Sequence, residues 1–294
     1  MYYDKINPKF QNLEIDHLYH LGIDTSLDLK RIFGKIRYVV MSDSNDNISV
    51  FAKEFAKSWY SVQESDFEFK PIFKTERFHL YKIGPILIVS HGIGMPSMLI
   101  CLNEITKLLF HAKCIDVAFL KFSHSGGIGV PGGTIIITTQ AVNNKLEPIF
   151  SNIESGEEVF YSTLFDHELS QSILTYGLNH GYKVDVGKTM GTYGFYEEQA
   201  RLDGALEVIY TKEEREEYLR KAQLNGVKSI NMVALAFAAF CHHLGIPAAM
   251  VSLVLVDRLI SDKTILPDNE KLMTRDVIKL LVNYLVTDLK NYTE

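Results

Sequence analysis

Apolar residues along this chain follow two alternating rhythms. Short, nearly unbroken runs rich in Ile, Val and Leu occupy residues 36–41, 86–90, 115–120, 134–139 and 249–256, with the length and composition of strands buried on both faces. Between them lie stretches with the period of a helix. Pro96 suits a first helical turn and is followed by Met98, Leu99, Leu102, Ile105, Leu108 and Leu109 on one face; similar faces run over residues 166–180, 212–225 and 268–289. This alternation predicts an α/β fold in a single domain, residues 1–294, with a twisted, mainly parallel central sheet flanked by helices. Sheets of that kind bind ligands at the carboxyl ends of their strands, where the glycine-rich turns at residues 92–94 and 126–129 are expected. The charged run 212–217 reads as a solvated helix face.

Composition narrows the classes of function. A 47% apolar content is ample for a large core. The net charge of −6 disfavours a nucleic-acid partner, whose phosphates are held by clustered cations. Cys101, Cys114 and Cys241 are widely scattered and lack CxxC spacing, which suits buried thiols in a reducing compartment. The first residues carry no basic head followed by an apolar run, and the apolar span 232–250 is interrupted by His242, His243, Gly245 and Pro247. The expectation is a cytoplasmic protein with no membrane partner.

The most informative chemistry lies at residues 195–205. Gln199 and Arg201 stand two apart, so an extended or irregular backbone turns both side chains to one side. A primary amide matches the N3–H and adjacent carbonyl of uracil, and a guanidinium holds the other carbonyl as negative charge builds on it. Phe195 offers a ring for stacking, although an ordinary core aromatic is equally consistent with its position.

This stretch resembles the uridine phosphorylases of the nucleoside phosphorylase family. So do Ser90 to Ser97 (Ser-His-Gly-Ile-Gly-Met-Pro-Ser), Ser125 to Gly129, the run Tyr81 to Pro85, and Phe237 Ala238 Ala239, all in the family's order and spacing. The resemblance implies cleavage of uridine by phosphate to uracil and ribose 1-phosphate, as in pyrimidine salvage. Phosphate would be the co-substrate, with no cofactor and no metal. The partners implied are a nucleobase or nucleoside and a second copy of the chain, because the family builds its site across a homodimer. By the same resemblance Gln199 and Arg201 read the base and carry the catalytic charge, beside Phe195. The phosphate positions are altered: Asp43 stands at the family's glycine, Asn47 at its first arginine, Lys121 at its second and His124 at its threonine, while Arg77 matches the cation lent by the partner. The ribose positions are altered too. Met232 is kept, but Val233 replaces the carboxylate that grips the sugar hydroxyls and Asp28 falls at the histidine for the 5′-hydroxyl; the downstream Phe237 Ala238 Ala239 holds this register.

Other candidates read as structural. Adjacent His242 and His243 beside Cys241 point apart and have no second ligand pair. Asp257 is expected to pair with Arg258 or to hold a loop. Ser125 with His91 or His124 lacks the orienting group of a hydrolase triad. Two functions stay open at this point: a uridine phosphorylase-like enzyme, strongly impaired or serving a different substrate, and a non-catalytic module that binds a nucleobase or another small ligand.

Overall fold

The computed structural model describes residues 5–62, 70–75, 77–263 and 267–293. The chain divides into two compact units. The first comprises Met1–Lys121, His243–Pro247 and Ile278–Glu294, and the second Phe122–His242 and Ala248–Val277.

In the first unit a small antiparallel pair, β1 (His17–Leu18) and β2 (Ile23–Asp24), precedes α1 (Leu29–Phe33). β3 (Tyr38–Ser42) leads into α2 (Asn45–Tyr60), followed by β4 (Phe73–Lys74), β5 (His79–Ile83), β6 (Ile86–Ser90), α3 (Met95–His111) and the start of β7 (Ala118–Gly127). Every residue of β3 and β6 is buried, as their unbroken apolar composition requires. They pair in parallel, with Ser42 opposite Ser90, and β3 pairs in parallel with β7, with Met41 opposite Lys121. The carboxyl ends of β3 and β6 therefore meet beside Lys121, partway along β7, and polar residues take over where the apolar runs of β3 and β6 stop. Ser44 caps α2 by accepting the Asn47 N–H, and Gly94 starts α3 at φ 90° with Pro96 in the first turn.

The second unit continues with β8 (Ile135–Val142), a hairpin of β9 (Ile149–Glu154) and β10 (Glu157–Ser162), α4 (His167–Asn179), β11 (Val184–Gly191), α5 (Lys212–Leu224), β12 (Val227–Asn231), α6 (Ala234–Leu244), β13 (Ala248–Asp257) and the first part of α7 (Pro267–Thr293). Its strands β8, β11 and β12 are parallel neighbours, and β13 runs antiparallel to β8. Asp166 caps α4, and Thr211 with Glu214 forms a reciprocal capping box on α5. Neighbouring strands follow the order β12-β11-β8-β13 in the second unit and β7-β3-β6-β5-β4 in the first, a mixed α/β arrangement with helices packed on the strands.

Two expectations shift. β7 starts at Ala118, beyond the exposed Ile115, and runs on through Gly127, so Gly126 and Gly127 lie in strand and not in a turn. They pair with Ile230 and Ser229 of β12, and a Cβ at Gly127 would come within 2.5 Å of the Val130 carbonyl oxygen. Glycine is required there for close backbone approach. The residues from Asn45, for which the apolar pattern predicted no element, begin a sixteen-residue helix. Among the described residues no helix is long and apolar enough to cross a membrane.

Candidate active site

Within the second unit, the chain leaves β11 at Gly191, where any side chain would strike Leu235 within 2.6 Å, and enters the loop that carries the expected base readers. Its backbone is irregular around one short turn. Glu197–Gln199 form a 3₁₀ turn, Ala200 adopts the left-handed conformation at φ 53°, and the Arg201 N–H returns to the Tyr196 carbonyl at 3.0 Å. Glu198 stiffens the entrance by accepting the N–H groups of Tyr193 and Gly194 at 2.7 and 3.2 Å. A non-glycine residue in this region costs roughly 1–2 kcal/mol. Ala200→Gly is accordingly expected to raise stability by a few tenths to about 1 kcal/mol, measured by urea unfolding, with part of the relief lost to the greater freedom of the unfolded chain.

Gln199 and Arg201 are both buried, held by partners that make their orientation unambiguous. The Gln199 amide donates through Nε2 to Thr192 Oγ1 at 3.1 Å, and its Oε1 lies 3.4 Å from the Nη1 donor of Arg258. Arg258 also donates to the Gln199 carbonyl at 2.8 Å. Only 1% exposed, Arg258 is neutralised by Asp262 at 2.5 Å, and Arg215 donates to the same carboxylate at 2.7 Å and to the carbonyls of Arg258 and Ala200. Burial pulls the Arg258 guanidinium below its ordinary range and Asp262 opposes that pull. Arg201 makes a two-pronged bond to Asp203, at 2.8 and 2.6 Å, and lies 4.6 Å over the Phe195 ring. The Asp203 bond raises the Arg201 pKa, and the Arg201 bond lowers that of Asp203. Phe195 remains 42% exposed, so one face of a ring already covered by a cation lies at the surface. Asp257 is no ion-pair partner of Arg258; its Oδ1 accepts the N–H groups of Gly129 and Leu259 and holds the loop.

The second unit also holds three of the expected phosphate and ribose positions, His124, Met232 and Val233. His124 on β7 lies with Nε2 2.9 Å from Thr274 Oγ1 and Nδ1 3.6 Å from Glu270. The Asn231 amide at the end of β12 donates to Ser123 Oγ and to the His124 carbonyl, and its Oδ1 accepts the Val233 N–H at 2.8 Å. Met232 is half-buried, and Val233 is buried at the start of α6.

The first unit gathers a different group. Lys121 is fully buried on β7, His91 is fully buried after β6, and Asp43 is half-buried after β3, where Ser42 Oγ donates to its carboxylate at 3.2 Å. Burial lowers the Lys121 pKa, and Asp43 works against that by favouring the ammonium. Burial, then Lys121, pushes His91 down to about 3, so its ring is neutral. Asn47 is half-buried in the first turn of α2. Asp28 caps α1 by accepting the Arg31 N–H at 3.0 Å and is exposed, as is Arg77.

Thr192, Asp203, Arg215, Arg258 and Asp262 were not selected by residue pattern. The i, i+4 spacing of Arg258 and Asp262 was the one available signal, and it reads equally well as a surface pair.

Residues 37–284 match the model of the phosphorylase superfamily. Uridine phosphorylase 1 of Mus musculus is 38% identical over 261 residues, 87% of this chain and 83% of its own length. Inactive uridine phosphorylase B of Schistosoma mansoni is 34% identical over 285 residues, 95% of each chain. The crystal structure of Schistosoma mansoni uridine phosphorylase with uracil superposes with a TM-score of 0.92 at 34% identity, covering 97% of this chain and 99% of that one. With the family model matched over residues 37–284 and the likeness extending over nearly the whole chain, this protein belongs to the uridine phosphorylase family of the phosphorylase superfamily.

Proposed function

We propose that this chain is a uracil-binding member of its family whose phosphorolysis of uridine is strongly impaired. One contrast carries the reading. The amide and guanidinium suited to a pyrimidine edge are present, buried and oriented, whereas the family's anion and sugar positions carry Asp43, Asn47 and Val233. In the family's reaction the sugar becomes cationic and the base anionic, so Arg201 serves the departing uracil by strengthening its bond as charge accumulates. Gln199 retains a second N–H and an Oε1 lone pair for the base edge after its contacts to Thr192 and Arg258. Val233 offers the sugar no side-chain acceptor. The Schistosoma relatives bracket this reading, since one is a complex with uracil and another is named inactive.

Uracil binding is the direct test. A heterocycle that buries few atoms, with no sugar or phosphate contacts to help it, is expected to bind with a Kd of roughly 0.1–10 mM. Arg201→Ala should weaken it about tenfold or more. Ligand-observed NMR that detects no uracil binding, or binding indifferent to Arg201→Ala, would remove the base sub-site.

A dimer follows from the same reading, with Arg77 serving the neighbouring copy, and isologous pairs are the commonest closed assembly. Sedimentation at micromolar protein is expected to return twice the chain mass; the mass of a single chain overturns it. The cytoplasm suits its three buried cysteines, none of them in a disulfide.

A further inference from the structure

The carboxyl ends of β3 and β6, beside Lys121 on β7, hold a residue to which the family reading gives no role, His91. The His91 backbone is fixed: its N–H donates to the Ser42 carbonyl at 2.9 Å, and its own carbonyl accepts the Ser97 hydroxyl. Its ring is fully buried, and no well-directed hydrogen bond reaches Nδ1 or Nε2; the backbone groups of Gly92 and of His91 itself are the polar groups that approach it. Buried polar groups are rarely left in that condition, because the desolvation is not returned. Lys121 lies in the same charge group at 0% exposure, and α3 begins close by on Gly94 with no side-chain cap. A buried ammonium, a neutral imidazole with a ring N–H to donate and the positive end of a helix together favour a negatively charged oxygen ligand.

Asp43 already supplies one negative charge there. It favours the ammonium of Lys121 and the protonated form of His91 against their burial. A fully buried ammonium requires a counter-charge, and a carboxylate tethered to the chain supplies it permanently. A second anion entering beside it meets repulsion in a poorly screened site.

We propose that Asp43 is the resident anion of this sub-site, a carboxylate of the chain itself occupying the role that an oxyanion ligand would otherwise fill toward Lys121 and His91, so that removing it opens a site for inorganic phosphate. This rests on the reading of these positions as the family's phosphate sub-site, and it assigns His91 as a further anion-binding residue.

The test measures binding of inorganic phosphate by calorimetry in low-salt buffer. The unaltered chain is expected to show none up to about 20 mM, and Asp43→Asn, which keeps the shape and removes the charge, is expected to bind with a Kd of a few millimolar. Adding His91→Phe or Lys121→Met to Asp43→Asn should weaken that binding about tenfold or more. Lys121→Met is made only in the Asp43→Asn chain, so that neither charge is left alone, and each variant is first checked for a cooperative thermal transition. Acetate provides a second readout: it should raise the melting temperature of Asp43→Gly in a saturable way and leave the unaltered chain unmoved.

Equal phosphate affinity with and without Asp43 overturns the inference. So does the absence of both phosphate and acetate binding in the Asp43 variants, or binding indifferent to His91 and Lys121. The measurement follows binding and not turnover. Failure of the impairment reading would instead appear as phosphate-dependent uracil release by the unaltered chain.

Discussion

Phosphate-dependent release of uracil from uridine is expected to lie several decades below the ordinary enzyme range, and no single substitution should restore it. A charge-assisted hydrogen bond contributes about 1.5–3 kcal/mol, and a group aimed at transition-state charge about 3–4 kcal/mol. Valine in place of a sugar-gripping carboxylate and asparagine in place of an arginine, with weakened contacts at Lys121 and His124, therefore remove on the order of 6–10 kcal/mol, or roughly four to seven decades of rate. The structure adds a geometric reason. Val233 is packed at the start of α6 with its N–H bound to Asn231, and His124 is engaged with Thr274, so neither position adapts to hold a reactant without displacing an existing contact. Opening the anion site through Asp43 alone admits phosphate but leaves the sugar unheld, and a misplaced reactant forfeits most of the benefit of proximity. Restoring Asp43→Gly, Asn47→Arg, Lys121→Arg, His124→Thr and Val233→Glu together should produce uracil release that depends on phosphate concentration, beyond the sum of the single effects, because such groups act as a unit. Chromatographic assay of uracil decides it. A kcat/KM of about 10⁴ M⁻¹s⁻¹ or more for the unaltered chain overturns the prediction.

Asp262→Ala is expected to destabilise the protein by about 3–5 kcal/mol, the usual cost of removing one partner from a buried ion pair. Its carboxylate is shared by Arg258, 1% exposed, and Arg215, 7% exposed, so a single truncation leaves two guanidinium groups uncompensated in a poorly hydrated place. For a chain of this size each kcal/mol moves the melting temperature by roughly 2–4 °C, so a fall of about 10 °C is expected by calorimetry. Uracil affinity should fall with it, because the Gln199 carbonyl and amide oxygen both rest on Arg258. Asp262→Asn should lose less, since an amide oxygen still accepts one bond but carries no charge. A change below about 1 kcal/mol in Asp262→Ala would mean that water, or a shift of Arg215 and Arg258, satisfies both guanidinium groups.

The elements read from sequence were those whose composition leaves little choice. β3 and β6 are apolar at nearly every position, α3 carries an apolar face behind Pro96, and α4 and α5 have capping residues at the predicted edges. Local chemistry was ambiguous for α2, whose Asn- and Asp-rich start reads as a turn until its apolar face is packed, and for β11, where half-buried residues and two glycines dilute the strand pattern. Gln199 and Arg201 were visible as residue types, but not the backbone that presents them. The expectation of an extended or irregular segment left the geometry open, and the chain builds it as an irregular loop around a 3₁₀ turn and a left-handed alanine.

By itself, the sequence determined which hydrophobic segments must be buried, which family the chain resembles and which of that family's ligand positions have changed, because these depend on residue identity and on order along the chain. Tertiary structure alone decided how charges separated in sequence are paired. Asp262 gathers Arg215 and Arg258 across 47 and 4 residues, and Arg258 orients an amide 59 residues away. Likewise, Asp43, His91 and Lys121 form one electrostatic group because β3 and β6 end side by side next to Lys121 on β7. Pairing of this kind is set by strand order and burial, and burial determines whether a charge is an ordinary surface group or one that must be neutralised within the chain.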